Sequence, residues 1–117
     1  MRKDVLFSHA AASAAVSAAR ERGDRPLAVR LERGSMLLEL YAPRGVDPQQ
    51  PHDKDELYFV ASGSGTFVCD GERFAFAPGD ALFVAAGVEH RFEDFTDDFE
   101  TWVVCYGPDG GELPSEA

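Results

Sequence analysis

Apolar and polar positions change rhythm twice along this chain. From residue 8 to 22 the sequence is alanine-rich, with Ser8 at its head, Arg20 and Arg22 near its end and Gly23 just beyond. Those are the start and stop signals of a helix, with Ser8 as N-cap and Gly23 as the C′ residue. Its apolar face is weak, mostly Ala with Val16, so it is expected to lie flat against something larger. His9, in its first turn, reads as a surface residue. From Arg25 the pattern shortens to strand-like runs: Leu27–Leu31, Met36–Tyr41, Leu57–Ala61, Thr66–Cys69, Arg73–Phe76, Ala81–Ala85, His90–Phe92 and Thr101–Tyr106. Turn formers separate them at Arg33-Gly34, Ser62-Gly63-Ser64-Gly65, Asp70-Gly71, Pro78-Gly79-Asp80, Ala86-Gly87 and Gly107-Pro108. Asp70-Gly71 between two such runs is a strong hairpin signal. About eight short, evenly spaced strands predict an all-β sandwich or barrel. The reading divides the chain into a helical arm (1–24), a β-domain (25–107) and a polar C-terminal tail (108–117) that is expected to fray.

A length of 117 residues suits one domain, and 44% apolar composition lets it bury a core without disulfide staples. The formal net charge of -10 repels a phosphate backbone and an anionic membrane surface, so neither nucleic acid nor membrane is expected as a partner. Solubility accounts for the acidity. No stretch approaches the roughly 18 apolar residues of a membrane span. Met1-Arg2-Lys3 opens like a leader, but Asp4, Ser8, His9, Ser13 and Ser17 interrupt any apolar segment after it, and a cytoplasmic location is expected. Cys69 and Cys105 lie in apolar runs, where a free thiol acts as a small hydrophobe. Two lone cysteines make no disulfide framework and fit a reducing compartment.

The chemistry concentrates in His52, Glu56 and His90. Two imidazoles and a carboxylate hold a divalent transition metal and leave coordination positions open. Gln50, His52 and Glu56 share one strand parity, although Pro51 and Asp53-Lys54-Asp55 make a bend or bulge expected there. Tyr58 shares the parity of Glu56: it either brings a phenol near the metal, as a candidate catalytic group, or serves as a core aromatic. Phe92 shares the parity of His90 and lines the pocket or packs. Trp102 can face either way. Glu39 interrupts an apolar strand, so it points outward or into a polar cavity. Arg44, in a loop, meets an anionic substrate at the site's mouth or stands in solvent.

Over roughly residues 35–107 the chain resembles a small single-domain cupin of the conserved-barrel type. Gly45, Gln50, His52, Glu56 and Gly63 follow the first cupin motif; Gly71, Pro78, Gly79-Asp80 and His90 follow the second, with the Gly one place early. The resemblance implies a jelly-roll barrel (a double-stranded β-helix) carrying a short N-terminal helix. It also implies one divalent metal inside the barrel, with His52, Glu56 and His90 as ligands. The sequence departs from the motif at Gln50, where the family has its first histidine, and lacks the downstream Asn, since Phe92-Glu93-Asp94-Phe95 follows His90. Gln50 is either an amide-oxygen ligand or a hydrogen-bond partner of one. A harder oxygen donor favours Mn or Fe, with Ni and Zn also possible. One carboxylate leaves the centre cationic, suited to a carboxylate, an enolate or a carbonyl.

Three functions follow. The first choice is an oxygen-dependent, dioxygenase-type oxidoreductase acting on a small organic molecule. The second is a metal-dependent isomerase or lyase that works without oxygen. The third is a non-enzymatic small-ligand-binding protein, with or without metal. Sugar-sensing transcription factors of this family need a DNA-binding module, and none fits this length. Similarity to small cupins further implies a homodimer.

Overall fold

A computed structural model describes residues 5–113; the leader-like Met1–Lys3 and residues 114–117 of the expected tail lie outside the described residues. Helix α1 runs His9–Glu21. The Ser8 side chain accepts from the Ala11 amide at 3.1 Å. At the other end the amides of Gly23 and Asp24 donate back to Arg20 and Ala19, with Gly23 at φ +79°, the hydrogen-bond pattern of a Schellman cap.

Eight strands follow: β1 (Leu27–Arg33), β2 (Met36–Tyr41), β3 (Asp55–Ser62), β4 (Gly65–Cys69), β5 (Glu72–Phe76), β6 (Ala81–Val84), β7 (His90–Glu93) and β8 (Glu100–Tyr106). They form a five-stranded sheet, β1-β2-β8-β3-β6, and a three-stranded sheet, β5-β4-β7, with antiparallel pairing throughout among the described residues. The result is mostly β with one short helix, the jelly-roll arrangement expected. The β4–β5 hairpin turns on Asp70 and Gly71, both at positive φ, which matches the right-handed twist of the flanking strands.

Period-two alternation decides what enters the barrel. In β3, Glu56, Tyr58 and Val60 are buried while Leu57 and Phe59 are exposed. Tyr41, Tyr58, Val60, Phe67, Phe76, Val84, Phe92, Phe99 and Val103 form the main core between the sheets. Phe92 packs there, 4.9 Å from the Phe67 ring and 5.2 Å from Tyr58, so it is a core aromatic. The β3–β4 turn and the loop before β8 approach tightly at one point. A Cβ on Gly63, already at φ +82°, would stand 2.5 Å from the Phe99 Cα. Only glycine fits both the conformation and the space.

Helix α1 covers the outer face of the larger sheet. Ala12 and Val16 pack on Ala28, Leu40 and Ala42, with Ala15 and Trp102 alongside. Trp102, which the sequence left free to line the pocket or face outward, faces the helix and not the barrel interior. Its neighbours Thr101 and Val103 take the inward positions of β8. His9 is exposed, as expected of a surface residue, and is also tied to the barrel. It stands 2.8 Å from the Glu100 carboxylate, which also accepts from Ser13 at 2.7 Å, and these bonds latch the helix to β8. The chain after β8 does not simply fray. The Gly110 and Glu112 amides donate to the Asp53 carbonyl and the Asp55 carboxylate at 2.7 and 2.8 Å. Among the described residues, no helix is long and apolar enough to cross a membrane.

Candidate metal centre

The stretch 42–54 between β2 and β3 contains no strand, so strand parity does not govern where its side chains point. Specific hydrogen bonds place them instead. The Gly87 amide donates to the His52 carbonyl at 2.7 Å, and the Ala86 amide donates to Asp55 at 2.9 Å. These bonds hold the turn before β7 against the entry to β3, and so bring His90 to His52 and Glu56. One candidate ligand atom from each of the three lies within 4.8 Å of the others. The Glu56 Oε1 atom is 3.5 Å from the Nε2 of both histidines.

The glutamine that reaches this cluster is Gln49. Its Oε1 lies 3.0 Å from the Tyr58 hydroxyl, 3.2 Å from His90 Nε2 and 3.4 Å from His52 Nε2. Gln50 is exposed and makes no hydrogen bond to His52, Glu56 or His90, which corrects its placement as a ligand or a ligand's partner. The cause is Asp47. This buried carboxylate accepts from the Phe92 amide at 2.9 Å and from the Tyr41 hydroxyl, and it takes the Gln49 side-chain NH2 at 2.6 Å. Asp47 thus occupies the donor end of the Gln49 amide and turns its oxygen into the site.

The tautomer of His90 is fixed in the same way. Its Nδ1 lies 2.9 Å from the Val88 carbonyl, which can only accept, so Nδ1 carries the proton and Nε2 presents a lone pair. His90 Nε2, Glu56 Oε1 and Gln49 Oε1 therefore converge as acceptors, and His52 Nε2 joins them when its proton sits on Nδ1. The Tyr58 hydroxyl, 3.1 Å from His90 Nε2 and 3.5 Å from Glu56, brings one proton to them. A nest of lone pairs with so few donors suits a cation, and two imidazoles with two oxygens are a fitting set for a divalent transition metal. Bonds behind the ligands, from Val88 to His90 and from Asp47 to Gln49, supply the orientation such sites use.

Burial shapes the protonation of the site. Desolvation pushes the Glu56 carboxyl up to about 7, with the Cys105 thiol and Tyr58 hydroxyl opposing and the Glu39 charge reinforcing. Burial likewise raises the Tyr58 phenol, with the Glu56 charge adding to it, so Tyr58 holds its proton and serves as a donor. His52 is lowered by burial first, then by His90 and Arg25, which favours the neutral ligating form. Glu39 pairs across the sheet with the core residue Val103, and so lies on the interior face; burial raises its carboxyl. The Cys105 thiol donates to Glu56 Oε2 at 3.4 Å, and burial raises its pKa as well.

With fold and site in view, the family can be stated. The sequence pattern of the Cupin domain family matches residues 37–105. The chain belongs to the cupin family. An uncharacterized protein of Streptomyces coelicolor is 36% identical over 81 residues, covering 68% of this chain and 77% of that protein. The HTH-type transcriptional activator RhaS of Mannheimia succiniciproducens is 36% identical over 62 residues. The match spans 53% of this chain but only 23% of that activator. A solved structure of a candidate mannose-6-phosphate isomerase from Ralstonia eutropha superposes with a TM-score of 0.53 at 26% identity, covering 68% of this chain and 79% of that one.

Within this cupin, sequence reasoning missed Gln49, Asp47, Tyr41 and Cys105. No periodic signal marks Asp47 and Gln49, which lie in coil. Cys105 was legible as a strand residue, and its inward parity with Val103 was the available clue. Arg44 does not guard the mouth: its guanidinium lies 3.3–3.5 Å from the carbonyls of Ala42, Pro43 and Phe99.

Proposed function

We propose that this cupin is a metal-dependent enzyme acting on a small organic anion, with an oxygen-dependent, dioxygenase-type reaction as the first reading. The observation that carries it is the convergence of His52, Glu56, His90 and the Gln49 oxygen on one point, with the proton-bearing atoms of His90 and Gln49 turned away. A divalent ion there supplies Lewis acidity and, as iron, redox chemistry with dioxygen. Mn or Fe suits the oxygen-containing donor set best, with Ni or Zn also compatible.

The chain's own residues set the conditions. Glu56 delivers the one full negative charge among the four donors, so the loaded centre stays cationic. His52 is the partly exposed member and faces the opening, whereas His90 and Glu56 are buried. The Tyr58 hydroxyl is within reach of the ligands and holds its proton, so it can donate a hydrogen bond to an oxygen of the bound molecule. That placement favours the second reading, a metal-dependent isomerase or lyase, in which Tyr58 steadies an enolate. A binding protein without turnover is the remaining alternative.

We further infer a homodimer and a cytoplasmic home. Leu57 and Phe83, paired across β3 and β6, stand 41% and 58% exposed on the outer sheet face with Phe59 nearby, an apolar patch suited to a second copy. The unpaired Cys69 and Cys105 suit a reducing compartment.

The test is elemental analysis of purified protein, repeated for His52→Ala and His90→Ala, followed by oxygen-uptake assays on the iron-loaded form. Metal bound by the wild type and lost in both variants is the expected result. Equal metal content in all three rejects the site. Metal retention without oxygen uptake across candidate 2-oxo and enol acids rejects the dioxygenase reading.

A further inference from the structure

The geometry points to an anion-binding subsite at Arg25, beside the metal centre, so that this cupin's ligand carries a second acidic group besides the one that meets the metal. The inference rests on the metal reading above. A cleft of about 270 Å³ opens next to His52 and is lined by Arg25, Gln49, Gln50, Tyr41 and three prolines. His52 and Gln49 belong to both the metal cluster and this cleft, so a molecule seated in the cleft reaches the ligating atoms directly.

Arg25 is the one side chain in this lining with a full positive charge, and no acidic residue lines the cleft. Among the described residues its guanidinium forms no ion pair or hydrogen bond. The acid next to it in sequence, Asp24, is taken by Arg22 at 2.9 Å. The other nearby arginine, Arg44, is committed to backbone carbonyls. Arg25 is thus the uncommitted cation at this opening, in a protein whose formal net charge is -10.

Its field already reaches inward. Burial raises the Glu39 carboxyl and the Tyr41 phenol, and the Arg25 charge opposes both. The Gln50 amide, exposed on the same rim, adds neutral donors and an acceptor. The prolines stiffen the wall, because their φ is locked and they offer no backbone N–H to solvate. A planar fork of donors is the geometry that takes a carboxylate in two parallel hydrogen bonds. The ligand class is therefore a small diacid, or an acid with a second anionic group, holding the metal at one end and Arg25 at the other.

The test uses the full chain loaded with Mn(II), and calorimetric titration with two pairs of 2-oxo acids. 2-Oxoglutarate and 2-oxoadipate carry a remote carboxylate; 2-oxopentanoate and 2-oxohexanoate have the same chelating head and an uncharged tail. The wild type should bind at least one diacid about tenfold or more tighter than its uncharged counterpart, as expected for a charge-assisted hydrogen bond in a partly enclosed cleft. Arg25→Gln should bring the two within about twofold while leaving the uncharged acid unaffected, and Arg25→Lys should keep part of the preference. A wild type with no preference, or a preference that survives Arg25→Gln, overturns the subsite. So does failure of every acid to bind metal-loaded protein. Manganese analysis of the same samples separates the two failures: protein that takes up no metal overturns the metal reading, and the subsite with it.

Discussion

The Glu56 carboxyl links proton, metal and stability, and Glu56→Gln should separate them. Glutamine keeps the shape of the neutral acid and its acceptor oxygen, but cannot ionise. Burial raises Glu56 from an ordinary 4.5 to about 7. In the folded protein the carboxyl therefore holds a proton that the unfolded chain releases between these two values. Stability falls with rising pH wherever the native state binds the extra proton. In metal-free wild type, this one group's contribution is fully present below 4.5 and is lost as pH rises toward 7. At about 1.4 kcal/mol per unit the full loss is about 3 kcal/mol, most of it developing between pH 5 and pH 7. Glu56→Gln has no such charge to bury. The metal-stripped variant should equal or exceed the wild type at pH 8, and its advantage should grow by about 2.5 kcal/mol between pH 5 and pH 8. Urea unfolding in chelator at the two pH values measures this, and titrating groups remote from the site cancel in the difference. Added metal should reverse the order, because only the wild type gains the binding free energy, about 4 kcal/mol at a thousand times Kd. A stability difference between the two proteins that does not change with pH would refute the desolvation argument. A variant that gains as much from metal as the wild type would refute the ligand role.

Two further outcomes probe the parts around Glu56. Gln49→Leu should weaken metal binding by about 10- to 100-fold, the usual cost of losing a ligand or its support, while Gln50→Ala should leave it within about twofold; competition with a chromophoric chelator reads both. Gly63→Ala should destabilise the fold by more than about 3 kcal/mol, since it combines positive φ with a backbone collision at Phe99; a thermal midpoint within a few degrees of wild type would contradict the close approach of the two loops there.

Strand periodicity carried most of the fold. Alternation in Leu57–Ala61 sets Tyr58 inward and Leu57 and Phe59 outward whatever the partners are, because successive side chains on a strand point to opposite faces. Asp70-Gly71 made its hairpin by local backbone preference, and Ser8 and Gly23 ended the helix in the same way. His52, Glu56 and His90 were legible through the two cupin motifs, and the structure brings all three together.

Three other assignments depended on contacts between distant segments. Trp102 and Val103 are both apolar on a strand, and alternation cannot say which of them is inward; the helix packed on the Trp102 face decided it. Gln49 displaced Gln50 because the coil 42–54 imposes no period and Asp47, held by Tyr41 and Phe92, captured the Gln49 amide. Arg44 does not line the cleft because one of its guanidinium nitrogens is held by the carbonyls of Ala42, Pro43 and Phe99. Local backbone preference acts within a few residues and can be read along the chain. Hydrogen-bond competition among side chains brought together from far apart exists only once the barrel has closed.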